Sequence, residues 1–194
     1  MRVLVYCPLA SRQPRLYAKV LTALFELDWP EPYELLYGVS KDTPDAILDQ
    51  AGKLERARQI AIRDGFDALF IVAYDVQVPT DALRRLVEIE TDIVFGIDVY
   101  AAWPYEWQED SHFNCTLIRR AALESMTFLD TNWDAYTSAT VTDLYCSRLT
   151  LDDGGKVLTP DSAEPDGVRI HYLNPQRAPV TVPYSRTILA GEPA

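Results

Sequence analysis

Asp75 is the residue whose surroundings point most directly to chemistry. It follows a short apolar run, Ala68–Val72, which predicts a buried strand. A carboxylate at the C-terminal end of a central parallel strand stands where α/β sheets bind their ligands. Acids after strands also cap the next helix or turn. In this chain Thr80 and Asp81 are expected to supply the N-cap and first-turn acid of the following helix, with Pro79 between them and Asp75. That leaves Asp75 without a structural task and makes it the first candidate for binding or catalysis.

Other polar residues divide between a chemical and a structural reading. Arg58, on a predicted helix, can reach a diphosphate or simply pair with Glu55. Asp98 follows the apolar run 93–95 and faces the same cleft or is a solvated turn residue. Trp103, Tyr105 and Trp107 crowd a proline-containing stretch, 100–107, expected to be a loop. Sugar rings stack on such side chains, so the loop is a candidate lid; packing over a sheet edge as a satellite core has equal standing. His112 lies beside Asp110 and Ser111 and reads as a loop residue. His171 alternates with Ile170 and Tyr172, and its own neighbours favour a hydrogen-bonded core histidine.

The elements that must position these residues alternate in type. Residues 2–7 predict a first strand ended by Pro8. A helix follows from Pro14, with Leu16, Val20 and Leu24 on one face. A second strand is expected over 33–37 and a longer helix from Asp45 to near Gly65. Then come the strand that delivers Asp75, the helix 81–88 and a strand over 92–96. Strand, short helix and mixed, partly helical segments are expected at 113–118, 120–125 and 134–148, with a last strand at 168–172. Alternation of this kind implies an α/β fold with a largely parallel sheet. The expected domain spans residues 1–174, and 175–194, with Pro175, Pro179 and Pro183, forms a surface tail.

Composition narrows the function classes. The chain has 194 residues, 48% of them hydrophobic, which suits one domain with an ordinary core. No apolar run approaches a membrane span and no leader-like stretch opens the chain, so a soluble, cytoplasmic protein is expected. Cys7, Cys115 and Cys146 are odd in number and lie in apolar segments, as buried reduced thiols do. The net charge of -11 argues against nucleic acid or anionic lipid as a general partner. An acidic protein that takes a phosphorylated small molecule usually needs a divalent cation between carboxylate and phosphate.

Several segments, in order, resemble the GT-A-fold glycosyltransferases, in particular the small stand-alone family-2 type of bacteria and phages. The run Ala73-Tyr74-Asp75-Val76-Gln77-Val78-Pro79 occupies the place of the Asp-x-Asp motif. Upstream, Arg56-Ala57-Arg58-Gln59 is similar to an Ala-Arg-Asn-like run. Downstream, Asn114-Cys115-Thr116-Leu117-Ile118-Arg119-Arg120 is similar to a strand-and-helix signature, and Thr142-Asp143 to an acidic pair opening a helix. Gly155-Lys156 and a strand ending in His171 complete the series. The sequence departs from the pattern at Ala73, where the first Asp is expected, and at Thr142, where the first acid of the pair is expected.

The resemblance implies a single-domain α/β GT-A fold and transfer of a sugar from a UDP-, GDP- or dTDP-linked donor to a soluble acceptor. It implies Mn²⁺ or Mg²⁺ held by Asp75 and His171, neutralising the departing diphosphate. Asp143 is implied as the base that takes the acceptor proton in a single, inverting displacement. Pro8, Ser40, Arg58, Tyr74 and Asp98 would line the donor site, with Trp103 and Trp107 over the sugar. Two further readings stay open, a nucleotide-binding module without transfer activity and a nucleotidyltransferase. The latter usually carries a Gly-rich phosphate loop after its first strand, and residues 8–14 hold no glycine.

Overall fold

The computed structural model describes residues 1–9, 14–39, 46–102, 106–110, 113–129, 139–151, 157–158 and 180–182. Its strands are β1 (Val3–Leu9), β2 (Glu34–Val39), β3 (Ala68–Val72), β4 (Val76–Gln77), β5 (Ile93–Ala102), β6 (Glu106–Asp110), β7 (Cys115–Arg119), β8 (Ala139–Arg148), β9 (Thr150–Leu151), β10 (Val157–Leu158) and β11 (Val180–Val182). Its helices are α1 (Pro14–Phe25), α2 (Ala46–Arg63), α3 (Ala82–Val87) and α4 (Arg120–Ser125). The main sheet runs β2-β1-β3-β7-β5-β8-β11, with β4 on β8 and β6 on β5.

β1 shows why this sheet lies between two helical layers. All seven of its residues are buried. Val3, Val5, Cys7 and Leu9 face a cluster with Leu16, Val20 and Leu24 of α1 and Leu83 and Leu86 of α3. Leu4 and Tyr6 face the opposite cluster with Leu54, Ala57 and Ala61 of α2 and Leu123 of α4. A strand covered on both faces carries a continuous apolar run, and period-2 alternation sends successive side chains to different layers. α2 ends at Arg63, and Gly65, with φ of +74, turns the chain towards β3 at a backbone geometry that glycine adopts without strain.

The architecture is α/β. The pairs β1·β2, β1·β3 and β5·β8 are parallel. β7 enters antiparallel between β3 and β5, and β4, β6 and β11 also pair antiparallel, so the whole sheet is mixed. No helix among the described residues is long and apolar enough to cross a membrane.

Four local expectations change. β1 continues through Pro8 to Leu9, because beyond Tyr6 only β2 is registered against it and a missing N–H there costs little. The cap position of α3 is Asp81, not Thr80, and no side-chain cap bond forms. The expected aromatic loop is partly strand: Tyr100 lies in β5 and Trp107 in β6, opposite Ala101, while 103–105 fall outside the described residues. The segment 139–148 is a strand, not a partly helical stretch, so Asp143 does not open a helix. Thr140, Val141 and Thr142 are β-branched, and the burial of Thr142, Leu144 and Cys146 at every second position is strand periodicity. Part of the proline-containing tail, Val180–Val182, pairs with β8; the expected strand at 168–172 falls outside the described residues.

Candidate functional site

A β-bulge brings the distant parts of the site together. Phe95 is in register with Val141, but Ile97 is in register with Tyr145, so Gly96 alone faces Thr142, Asp143 and Leu144. The Thr142 hydroxyl stabilises this irregularity, donating to the Phe95 carbonyl at 3.1 Å and accepting from the Leu144 amide at 3.0 Å. Glycine is required opposite it. A Cβ on Gly96 would lie 2.8 Å from Cys115 Sγ and 3.3 Å from the Leu144 carbonyl. Bulges bend the strand that carries them. Beyond this one, the end of β8 reaches β4, the two residues that follow the turn after β3, in the antiparallel register Val76↔Arg148 and Gln77↔Ser147.

Asp75 is pinned at that junction by backbone bonds. The Ala73 amide donates to the Asn114 carbonyl at 2.8 Å, the Val76 amide to the Ala73 carbonyl at 3.0 Å, and the Leu149 amide to the Asp75 carbonyl at 2.6 Å. The side chain is half-buried. Burial raises its pKa above the ordinary carboxylate value, and the positive charge of Arg148 opposes the rise without cancelling it. Tyr74 is raised by burial and by the Asp75 charge, with Arg148 again opposing. Cys7, near the end of β1, is pushed up to about 12 by burial first and by Asp75 second. Cys7, Tyr74, Asp75 and Arg148 therefore form one electrostatic cluster at the C-terminal ends of β1 and β3. Lys53 Nζ donates to the Leu9 carbonyl at 3.4 Å, at the end of β1.

The candidates drawn from the sequence separate on this frame. Pro8, buried next to Cys7, and Tyr74 and Asp75 share the strand ends. Asp98 stands on β5 in register with Cys146, and Asp143 stands at the bulge. Trp107 is on β6. Ser40, Trp103 and His171 fall outside the described residues, as does His112.

Arg58 serves packing. Its Nε and Nη2 grip Glu55 at 2.9 and 2.7 Å and its Nη1 donates to the Leu123 carbonyl at 2.6 Å. Glu55, only 4% exposed, also accepts from Gln59, Thr127 and the Phe128 amide. Arg58 thus ties α2 to α4, the expected alternative of an Arg58–Glu55 pair.

Arg148 and Lys53 were not among the sequence candidates. Nothing local marks Arg148, because its approach to Asp75 depends on the bulge and the β4·β8 ladder. A depression of about 440 Å³ lies away from this cluster, lined by Val87, Glu90, Thr91, Asp92 and Arg119. Arg119 is engaged there with the Val87, Ile89 and Thr91 carbonyls, which terminates α3 rather than building a ligand site.

The described residues do not by themselves fit a divalent cation. No group of three His, Cys, Asp or Glu side chains converges among them. Alanine stands at position 73, and the charge acting on Asp75 is the Arg148 guanidinium. What the cluster can do is hold an anion close to a carboxyl group whose proton is retained more strongly than usual.

No family model matches the sequence and no curated protein matches it. Among solved structures, A197 from STIV superposes with a TM-score of 0.54 at 16% identity, covering 82% of this chain and 94% of that one. Two looser superpositions are to a glycosyltransferase involved in glycosylation of the major capsid of PBCV-1, and to S. aureus TarS 1-349 in complex with UDP-GlcNAc. The first has a TM-score of 0.43 at 11% identity, over 63% of this chain and 62% of that one. The second has a TM-score of 0.39 at 14% identity, over 56% and 37%. This chain spans less than two thirds of either protein.

Proposed function

We propose that the protein is a glycosyltransferase that moves a sugar from a nucleoside-diphosphate donor to an acceptor hydroxyl. One observation carries this reading: Asp75 leaves the C-terminal end of β3 in a cluster with Cys7, Tyr74 and Arg148, where an α/β sheet receives a nucleotide. The α/β layout and the order of sequence motifs support it.

The chemistry assigns tasks to the protein's own residues. Pro8, Tyr74 and Asp75 border the diphosphate, and Asp98, beside the end of β8, borders the sugar. Asp143 takes the acceptor proton as the acceptor oxygen attacks the anomeric carbon and the bond to the diphosphate oxygen breaks. Attack opposite the leaving group inverts the anomeric centre. Bulges recur next to active sites because they re-aim single residues, which suits the placement of Asp143. Ser40, Trp103 and Trp107 remain candidates for the donor and the sugar.

The test is a panel of UDP-, GDP- and dTDP-sugars, with release of nucleoside diphosphate measured with and without an acceptor glycan pool. Asp143→Asn should lower kcat by roughly 10²- to 10⁴-fold with little change in donor KM. A second reading, a nucleotide-binding module without transfer, is favoured by Ala73 and Thr142. It predicts nucleotide binding with no turnover across the whole panel.

A further inference from the structure

The bend that carries β8 to β4 places a cation beside the one acid of the strand end. Val76 and Arg148 are ladder partners, and the amide of the next residue, Leu149, is bonded to the Asp75 carbonyl at 2.6 Å. The backbone therefore fixes Arg148 next to Asp75. Thr142, Leu144 and Cys146 precede Arg148 at alternate positions and are buried, whereas Arg148 is half-buried. It stands where the core row opens onto the strand ends. A guanidinium drawn so near a core is costly unless an anion answers it.

The local charge balance matters next. A paired-acid motif offers two carboxylates at this strand end and attracts a dication. Positions 73–75 of this chain offer one, because residue 73 is alanine. The charge that acts on that acid is the guanidinium of Arg148, held beside it by the β4·β8 ladder. A lone carboxylate beside a guanidinium is a poor trap for Mn²⁺ or Mg²⁺, and the guanidinium suits a diphosphate, whose oxygens match the planar fork of arginine.

Resting on the transferase reading above, we infer that the Arg148 guanidinium, in place of a divalent cation, is the positive charge this site sets against the diphosphate of its donor. Arg148 binds the diphosphate oxygens and stabilises the charge that develops as the sugar departs, and Asp75 orients Arg148. Asp75 is then a positioning residue whose own charge opposes the ligand.

The experiment is titration calorimetry with UDP, GDP and dTDP, each in EDTA and in Mn²⁺, with the corresponding nucleosides as phosphate-free controls. The wild-type protein should bind one diphosphate equally well in EDTA. Arg148→Gln should weaken that binding roughly 10- to 100-fold and leave nucleoside binding unchanged. Arg148→Lys should fall between, and Asp75→Asn should bind as tightly as wild type or more tightly. If Arg148→Gln does not fold, the wild-type EDTA comparison and Asp75→Asn still decide, because a metal ligand and a positioning acid predict opposite signs. Binding that requires Mn²⁺ and is lost in Asp75→Asn overturns the inference and leaves the transferase reading standing. Absence of binding by every nucleoside diphosphate, with and without metal, overturns both.

Discussion

The Leu149 amide donates to the Asp75 carbonyl at 2.6 Å, joining the end of β8 to the turn that follows β3. Those residues are far apart in sequence, and on a flat sheet β7 and β5 would separate their strands. The bulge at Gly96 and Thr142 removes that separation. Fold and site are thus one construction: the irregularity that bends β5 and β8 is also what sets Arg148 against Asp75.

Asp75 should cost stability at neutral pH. Burial holds its pKa above the ordinary 3.8, so the folded state binds this proton more tightly than the unfolded chain does. The stability linked to that proton is complete below pH 3.8 and is lost as pH rises. Asp75→Asn should therefore melt higher than wild type at pH 7, with the difference shrinking towards pH 4. Thermal melts across that range check it, and about 2–4 °C is expected for each kcal/mol at this chain length. Equal melting curves at all pH values would contradict it.

Cys7 should behave as an inert thiol. With its pKa pushed up to about 12, it stays protonated at pH 8, and alkylating reagents should modify it only on unfolding. The raised value also makes folding weaken between about pH 9, the ordinary thiol value, and pH 12, because the unfolded chain ionises first. Cys7→Ser should blunt that alkaline loss, read by urea melts at pH 8 and pH 10.

Glu55 should be a structural acid. Its pKa is lowered because hydrogen bonds from Arg58, the Phe128 amide, Thr127 and Gln59 together outweigh the cost of its burial. Glu55→Ala leaves the Arg58 guanidinium and the Phe128 amide without their partner, at a cost of roughly 3 kcal/mol. The stabilising effect of Glu55 is present above its ordinary pKa and is lost as pH falls through the lower folded value. Denaturant melts of Glu55→Ala and wild type at pH 7 and pH 3 should converge at the lower pH.

The bulge should be sensitive to one methyl group. Gly96→Ala sets a Cβ 2.8 Å from Cys115 Sγ, and overpacking of this kind costs about 1–3 kcal/mol. Adding Cys115→Ala removes the nearest of these contacts and should recover part of the loss. The 3.3 Å approach to the Leu144 carbonyl stays, so recovery is incomplete. Full additivity of the two substitutions in chemical melts would show that the contact is not the cause.

Much of the fold was legible because it depends on local pattern. Ala68–Val72 is an apolar run buried on both faces and was recognisable as the strand that carries Asp75. α1 and α2 follow from helical spacing. What was not legible depends on pairing between distant segments. Residues 139–148 hold a run of β-branched residues broken by Asp143, and only pairing with β5 settles them as a strand. Arg58 and Arg148 are indistinguishable as residue types. The fold puts one between two helices and the other beside Asp75. The cap at position 81 has no side-chain bond, so Thr80 does not release Asp75 from a structural task; backbone bonds at Ala73, Val76 and Leu149 fix its place instead.

Hydrogen exchange with saturating nucleoside diphosphate tests the placement of the donor most directly. Binding at the strand ends predicts slowed exchange confined to the backbone amides of residues 7, 9, 73–77 and 146–149, and weaker protection in Arg148→Gln. Protection centred instead on Val87, Thr91 and Arg119, or no protection under saturating ligand, would contradict the account.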